Sequence, residues 1–259
     1  MSDGKSSIGQ GINRVDGILK VTGTAKYATD YPIAGVVHAV LVKSTIAAGK
    51  ITAVNAEEAK AAPGVLEVIT HLNAPKLNAG GGIRGGALLQ SESIEFWGQH
   101  IGIVVAETFE QARHAARLVK FTFKEEQPVV DFEKHKGAAK PSKDKEKGDL
   151  VRGDVDGSFA AAPYKIDAVY ETPIEHHQPM EPHSTIAVWE GEKLTLYNSA
   201  QIVNGAQTTA ASTLNIKPEH VRIVTPHIGG GFGSKGGQWA NMVLCAVAAQ
   251  MVQRPVKLA

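Results

Sequence analysis

Short apolar runs alternate with polar turns over most of this chain. VVHAVLVKS (36–44) is apolar and β-branched enough to predict a strand. NAEEAKAAPG (55–64) carries helix signals at both ends. Asn55 can cap, Glu58 stands three residues on as in a capping box, and Pro63-Gly64 stop the helix. VLEVIT (65–70) predicts a second strand, NAGGGIRGG (78–86) a glycine-rich loop, and IGIVVAE (101–107) a short buried strand. TFEQARHAARLVK (108–120) repeats the capping logic with Thr108 and Gln111, and its apolar positions Phe109, Ala112, Ala116 and Val119 fall at helical spacing. FTF (121–123) extends into another strand. Residues 12–127 therefore predict an α+β or α/β domain of about 115 residues.

The pattern then changes. EKHKGAAKPSKDKEKG (133–148) replaces apolar periodicity with six lysines, a proline and small residues, which predicts a solvated linker; a basic docking patch is the alternative. Beyond it, YKIDAVYE (164–171) alternates as a half-buried strand. TIAVWEGEKLTLYNS (185–199) reads as a hairpin turning at Glu190-Gly191-Glu192. QIVNGAQTTAASTLNI (201–216) predicts a closely packed helix, and VRIVTP (221–226) a strand that leads into IGGGFGSKGG (228–237). QWANMVLCAVAAQMVQ (238–253) is apolar on nearly all sides and predicts a buried helix. RPVKLA (254–259) reads as the start of a further strand, with the expectation that the fold continues beyond it.

Composition narrows the function classes. The 259 residues are 43% hydrophobic and 20% charged, as in an ordinary globular protein. A net charge of +1 gives no polyelectrolyte argument for nucleic acid. No apolar window is long enough to span a membrane, and MSDGKSSIGQG at the N-terminus lacks the apolar core of a secretory signal. The single cysteine, Cys245, allows no internal disulfide and no cysteine-rich metal site, and it reads as a packing residue.

Chemistry concentrates in the glycine loop. Gly231, Gly233 and Gly236 satisfy G-x-G-x-x-G, but residues 220–259 hold no Asp or Glu for a dinucleotide ribose. Lys235 follows Ser234 and precedes Gly236, so a phosphate-binding P-loop is also missing. Consecutive glycines can instead expose N–H groups as an anion-binding concavity, helped by a helix starting near 238 and by Arg222, Lys235, Arg254 and Lys257. A tight structural turn is the alternative. EHHQPMEPH (175–183) gathers three histidines and two glutamates, but Pro179 and Pro182 preclude a helix presenting metal ligands, so a loop lining a cleft or satisfying buried backbone is expected.

Several stretches together resemble one family. GINRVDGILKVTGTAKYATD (11–30) resembles the opening of the large subunit of molybdenum hydroxylases, the xanthine dehydrogenase/aldehyde oxidase family. ESIEFWGQHIGIVVAETFEQARHAARLV (92–119) is similar to that family's hammerhead α/β domain. MEPH (180–183), SAQ (199–201) and GGGFGSK (229–235) resemble the start of its cofactor-binding region. The likeness runs in order over roughly residues 11–258, nearest to the bacterial aldehyde oxidoreductase type. It implies an α+β fold: a hammerhead domain over 1–127, a Lys-rich linker over 128–160, and the first part of a molybdopterin-binding domain over 161–259.

The resemblance also implies a ligand: molybdenum–molybdopterin, in bacteria often the cytosine dinucleotide. Gln201 would hydrogen-bond an oxo ligand of molybdenum. Phe232 and Gly233 would bring backbone near the metal's ligands and the substrate, while Gly230 and Gly231 permit close approach. No side chain need ligate the metal, which the dithiolene holds. Purine-oxidising members carry a Glu where this chain has Gly236, which favours aldehydes or a differently recognised N-heterocycle. The family's large subunit is about three times as long and keeps its general-base Glu far downstream, so no catalytic residue is expected here. Implied partners are a chain carrying the rest of the molybdenum subunit, a 2Fe-2S subunit and an FAD subunit. A location in the cytoplasm is expected, or in the periplasm by export with a signal-bearing partner. The competing reading is a non-catalytic hammerhead remnant acting as a subunit-interaction module.

Overall fold

The structure, a computed structural model, describes residues 8–78, 82–140 and 152–259. In chain order these form α1 (Gly17–Val21), β1 (Val37–Lys43), β2 (Gly49–Asn55), α2 (Glu57–Lys60), β3 (Val65–Thr70), β4 (Ser93–Ile94), β5 (His100–Ala106), α3 (Phe109–Leu118), β6 (Lys120–Glu125), α4 (Phe132–His135), α5 (Val155–Ala161), β7 (Thr185–Glu190), β8 (Lys193–Asn198), α6 (Val203–Leu214), β9 (Val221–Val224), α7 (Ala240–Val252) and β10 (Val256–Leu258). Seven strands make one mixed sheet in the order β3-β5-β1-β10-β7-β8-β9, and β4-β2-β6 make a small second sheet. In the large sheet β1–β10 and β8–β9 are parallel pairs and the other neighbours are antiparallel.

The unbroken apolar run of β5 follows from its position. A strand covered on both faces cannot alternate. Ile103 and Val105 face the cluster built on α7, while Val104 joins Ala115 and Val119 on the α3 side. Helix α7 is buried at every residue from Ala240 to Ala249. Its carbonyl at Ala246 accepts the Trp189 indole N–H at 2.9 Å. Burial pushes the Cys245 thiol up to about 12, and its sulfur donates weakly to the carbonyls of Thr185 and Val256. It fills the interior between α7 and the sheet.

Several local expectations need revision. Asn55 accepts the Glu57 N–H at 3.2 Å, but the capping box does not close, because Glu58 turns to Lys120 at 2.9 Å. On α3 the buried positions are Ala112 and Ala115; Phe109 is exposed and Ala116 only half-buried. Strand β2 and helices α1 and α5 had no periodic signal strong enough to single them out. The 164–171 segment is not a strand here: residues 165–179 run without helix, strand, turn or bend. Of the Lys-rich stretch, residues 133–138 lie in α4 and a following 3-10 turn, and 141–148 lie outside the described residues.

By compactness the chain divides into two units. Residues 1–127 and 177–259 form one compact unit, and 128–176 a second. The large sheet ignores a boundary at 127 because β1 pairs β5 on one edge and β10 on the other. Within the second unit, Asp131 caps α4 and Asp154 caps α5.

The capping box of α3 is complete: the Gln111 N–H donates to Thr108 Oγ1 at 3.2 Å, and Gln111 Oε1 accepts the Thr108 N–H at 3.0 Å. Thr108→Ala is therefore expected to lower stability by about 1 kcal/mol, read as a lower urea midpoint at unchanged slope.

Candidate functional site

The loop after β9 is held in a shape that glycine permits. Gly230 and Gly233 have φ of 94° and 95°, and Phe232 sits between them at φ 50°, a left-handed conformation uncommon for an aromatic residue. Neighbours crowd the loop from two sides. A Cβ on Gly229 would lie 2.5 Å from Glu181 Cβ, and one on Gly231 would lie 2.7 Å from Gln201 Oε1. At Gly230 the Phe232 ring stands 3.0 Å from the same hypothetical atom, and at Gly233 His177 stands 3.5 Å away. The structure thus brings Gln201, Gly230, Gly231, Phe232 and Gly233 together, with His177, Pro179 and Glu181 behind them.

A buried ion pair fixes this arrangement. Lys235 is sealed from water, and its ammonium donates to the Glu181 carboxylate at 2.9 Å and to the Glu181 carbonyl at 2.8 Å. The same carboxylate accepts N–H groups from Gly229 at 2.8 Å and Ala28 at 3.2 Å. The Glu181 N–H in turn donates to the Gly229 carbonyl at 3.0 Å, and the Gln201 N–H to the Lys235 carbonyl at 2.9 Å. Three distant segments, at 28, 181 and 229–235, meet on one glutamate. Sequence reasoning missed this role; its signal was the single Glu in MEPH, surrounded by histidines that drew attention to metal.

The expected positive field is corrected by these contacts. Lys235 is neutralised by Glu181, Arg254 is paired bidentately with Glu107, and Lys257 donates to the Thr29 carbonyl. At the N-terminus of α7 the Arg84 carbonyl accepts the Ala240 N–H at 2.9 Å and the Trp239 carbonyl the Met242 N–H at 3.2 Å, so part of that end is already engaged. The exposed Arg222 side chain takes no partner among the described residues, and within the loop itself what remains is backbone. The N–H groups of Gly230, Gly231, Phe232 and Gly233 take no partner among the described residues, whereas Gly229 and Ser234 on either side are bonded. Ser199 Oγ, two residues before Gln201, is buried without a partner. Such a row of free donors suits a ligand rich in oxygen and nitrogen acceptors.

Among the described residues no group of three or more His, Cys, Asp or Glu is arranged to hold a metal. A cavity of about 490 Å³ lies between α3, β1 and β6 and touches none of the loop residues. A second, of about 340 Å³, is lined by His100, His183, Trp239 and Asn241. Burial, then the adjacent Lys43 charge, lowers His100 to about 4; burial and Lys235 also lower His183. No helix among the described residues is long and apolar enough to cross a membrane.

Comparison with known proteins places the chain. Residues 105–259 match the molybdopterin cofactor-binding domain, and residues 22–127 match the aldehyde oxidase and xanthine dehydrogenase a/b hammerhead domain. The chain is 43% identical over 254 residues to the aldehyde oxidoreductase molybdenum-binding subunit PaoC of Escherichia coli (strain K12), covering 97% of this chain and 34% of that protein. It is 30% identical over 263 residues to the putative xanthine dehydrogenase molybdenum-binding subunit XdhA of the same strain, covering 95% and 35%. The solved structure of quinoline 2-oxidoreductase from Pseudomonas putida 86 shares the fold, with a TM-score of 0.83 at 23% identity over 98% of this chain and 34% of that one. The chain thus spans about a third of the length of the curated relatives it matches.

Two outcomes are expected. Lys235→Met strands a buried carboxylate and should lower stability by about 3–5 kcal/mol in chemical denaturation. Adding Glu181→Gln should restore a substantial part, because the carboxamide oxygen still accepts the Gly229 N–H. His100 titrates below its ordinary value of 6.5 when folded, so its contribution to stability is full above about pH 6.5 and is lost as pH falls toward 4. The loss should reach about 3 kcal/mol, and His100→Gln should remove that part of the pH dependence.

Proposed function

Because the chain belongs to the aldehyde oxidase and xanthine dehydrogenase family of molybdopterin-binding proteins, we propose that it builds one wall of the cofactor cradle in a molybdenum-dependent hydroxylase that oxidises aldehydes, or N-heterocycles, with water as the oxygen source. The observation that carries this reading is the row of unpartnered N–H groups from Gly230 to Gly233 beside the Gln201 carboxamide. Molybdenum–molybdopterin, when bound, supplies the two-electron redox centre of the oxidation.

The residues present fit that group. Its phosphate, pterin and oxo atoms are acceptors, and the loop offers donors without a competing charge. Gly230 and Gly233 supply donors at φ values that side chains resist, and Gly231 leaves room for Gln201. The Gln201 carboxamide provides one further donor, aligned by its backbone bond to Lys235. Phe232, 73% exposed, offers an apolar ring to shield the reacting centre or to meet substrate. Proton abstraction is left to a carboxylate in the part of the subunit that this chain does not include, so the chain positions and does not itself react. Identity to an aldehyde oxidoreductase subunit, with Gly236 where purine oxidisers carry Glu, favours aldehydes over purines.

The finer assignments belong to the same proposal. The cofactor is in its cytosine dinucleotide form, electrons leave through a 2Fe-2S subunit and an FAD subunit, and the assembly works in the cytoplasm, or in the periplasm if co-exported. The shared sheet argues against a free-standing hammerhead module, because β1 needs β10 from the far end of the chain.

Metal and pterin analysis of the chain purified with its neighbouring subunits tests the central claim; complexes without molybdenum or pterin would refute it. Gln201→Ala in the assembled enzyme is expected to lower turnover about 10- to 100-fold while leaving assembly and molybdenum content intact. Gly231→Ala, which drives a methyl into Gln201, should reduce cofactor content as well as turnover.

A further inference from the structure

One segment carries a strand's sequence without a strand's partner. Residues 165–176 form no backbone hydrogen bond among the described residues, and their course has no helix, turn or bend. Yet YKIDAVYE alternates cleanly. Tyr164, Ile166, Ala168 and Tyr170 share one face, and Lys165, Asp167 and Glu171 fall on the other with Val169. Tyr164, Ile166, Val169 and Tyr170 are each at least 84% exposed. The segment also starts from a fixed base. Lys165 donates to the Ala160 carbonyl of α5 at 2.8 Å, and its ammonium stands 5.6 Å from the Phe159 ring. Pro173 ends the stretch able to donate along a ladder.

We propose that residues 165–171 are a docking strand that adds to an open sheet edge in the remainder of the molybdenum subunit. Backbone groups with no partner and a one-faced apolar pattern are what β-augmentation requires: main-chain bonds give attachment, and alternate side chains give register. The occupant follows from length, since about two thirds of each curated relative lies outside the part this chain matches.

Hydrogen exchange on the complete molybdenum subunit tests this directly. Alternate amides within 165–171 are expected to exchange on the order of 100-fold more slowly there than in this chain alone. Equal exchange rates would overturn the proposal. Slowing that appears in this chain alone and grows with concentration would overturn it too, by making a second copy the occupant. Ile166→Asp, on the apolar face, should abolish the protection while leaving the circular dichroism of the isolated chain unchanged; Asp167→Asn should keep the protection. The same loss from both variants would count against the assigned face. Molybdenum content read on the same samples separates the two ideas, since a subunit with protected 165–171 amides and no cofactor sinks only the cradle reading.

Discussion

A lysine sealed from water organises the glycine loop after β9. Burying an ammonium is costly unless it is paired and fully hydrogen-bonded. Lys235 meets that demand with the Glu181 carboxylate and the Glu181 carbonyl. The carboxylate then has lone pairs to spare, and it spends them on the N–H groups of Gly229 and Ala28. One interaction thereby sets where the glycine loop begins, how the 177–183 loop passes behind it, and where the segment around residue 28 crosses. The donors from Gly230 to Gly233 stay free because the turn on either side of them is already satisfied.

Small residues extend the same economy into the core. Helix α7 contributes Ala240, Ala246, Ala248 and Ala249 at buried positions, and α6 contributes Ala206, Ala210 and Ala211. Such helices come close to the sheet and leave their carbonyls within reach of Trp189 and their thiol within reach of strand carbonyls. Rigid packing of this kind suits a site whose contacts are main-chain atoms, since a backbone donor can be placed only by placing the chain.

How much of this was legible varies by the physics involved. The hairpin of β7 and β8, the strand β3 and the buried helix α7 followed from periodicity, because local pattern and tertiary role agree there. Gln201, Gly230, Gly231, Phe232 and Gly233 were grouped by resemblance; the structure brings them close together, and what they bind is the proposal made above. The electrostatics of that site were misread. Lys235, Arg254 and Lys257 look like free cations in sequence, but each has a partner more than 50 residues away, or a distant carbonyl, that no local pattern reveals. Strand β2 escaped notice because GKITAVN alternates weakly and gains its burial from Phe121 and Phe123 across the small sheet. The 164–171 segment misled in the opposite sense: its pattern is that of a strand, and pairing needs an edge that local sequence cannot supply.

The position of β10 has a kinetic consequence. Val256, Lys257 and Leu258 pair with Val37, His38 and Ala39 on one side and with β7 on the other, so the strand that closes the middle of the sheet is separated from its parallel neighbour by more than 200 residues. During synthesis the first half of the sheet must therefore wait, with the β1 edge and the apolar surface destined for α7 uncovered, until the last strand emerges. Late, long-range closure of this kind slows folding and exposes a chain to misassociation. The topology thus sets an order of assembly in which the sheet is completed last at its centre and not at an edge.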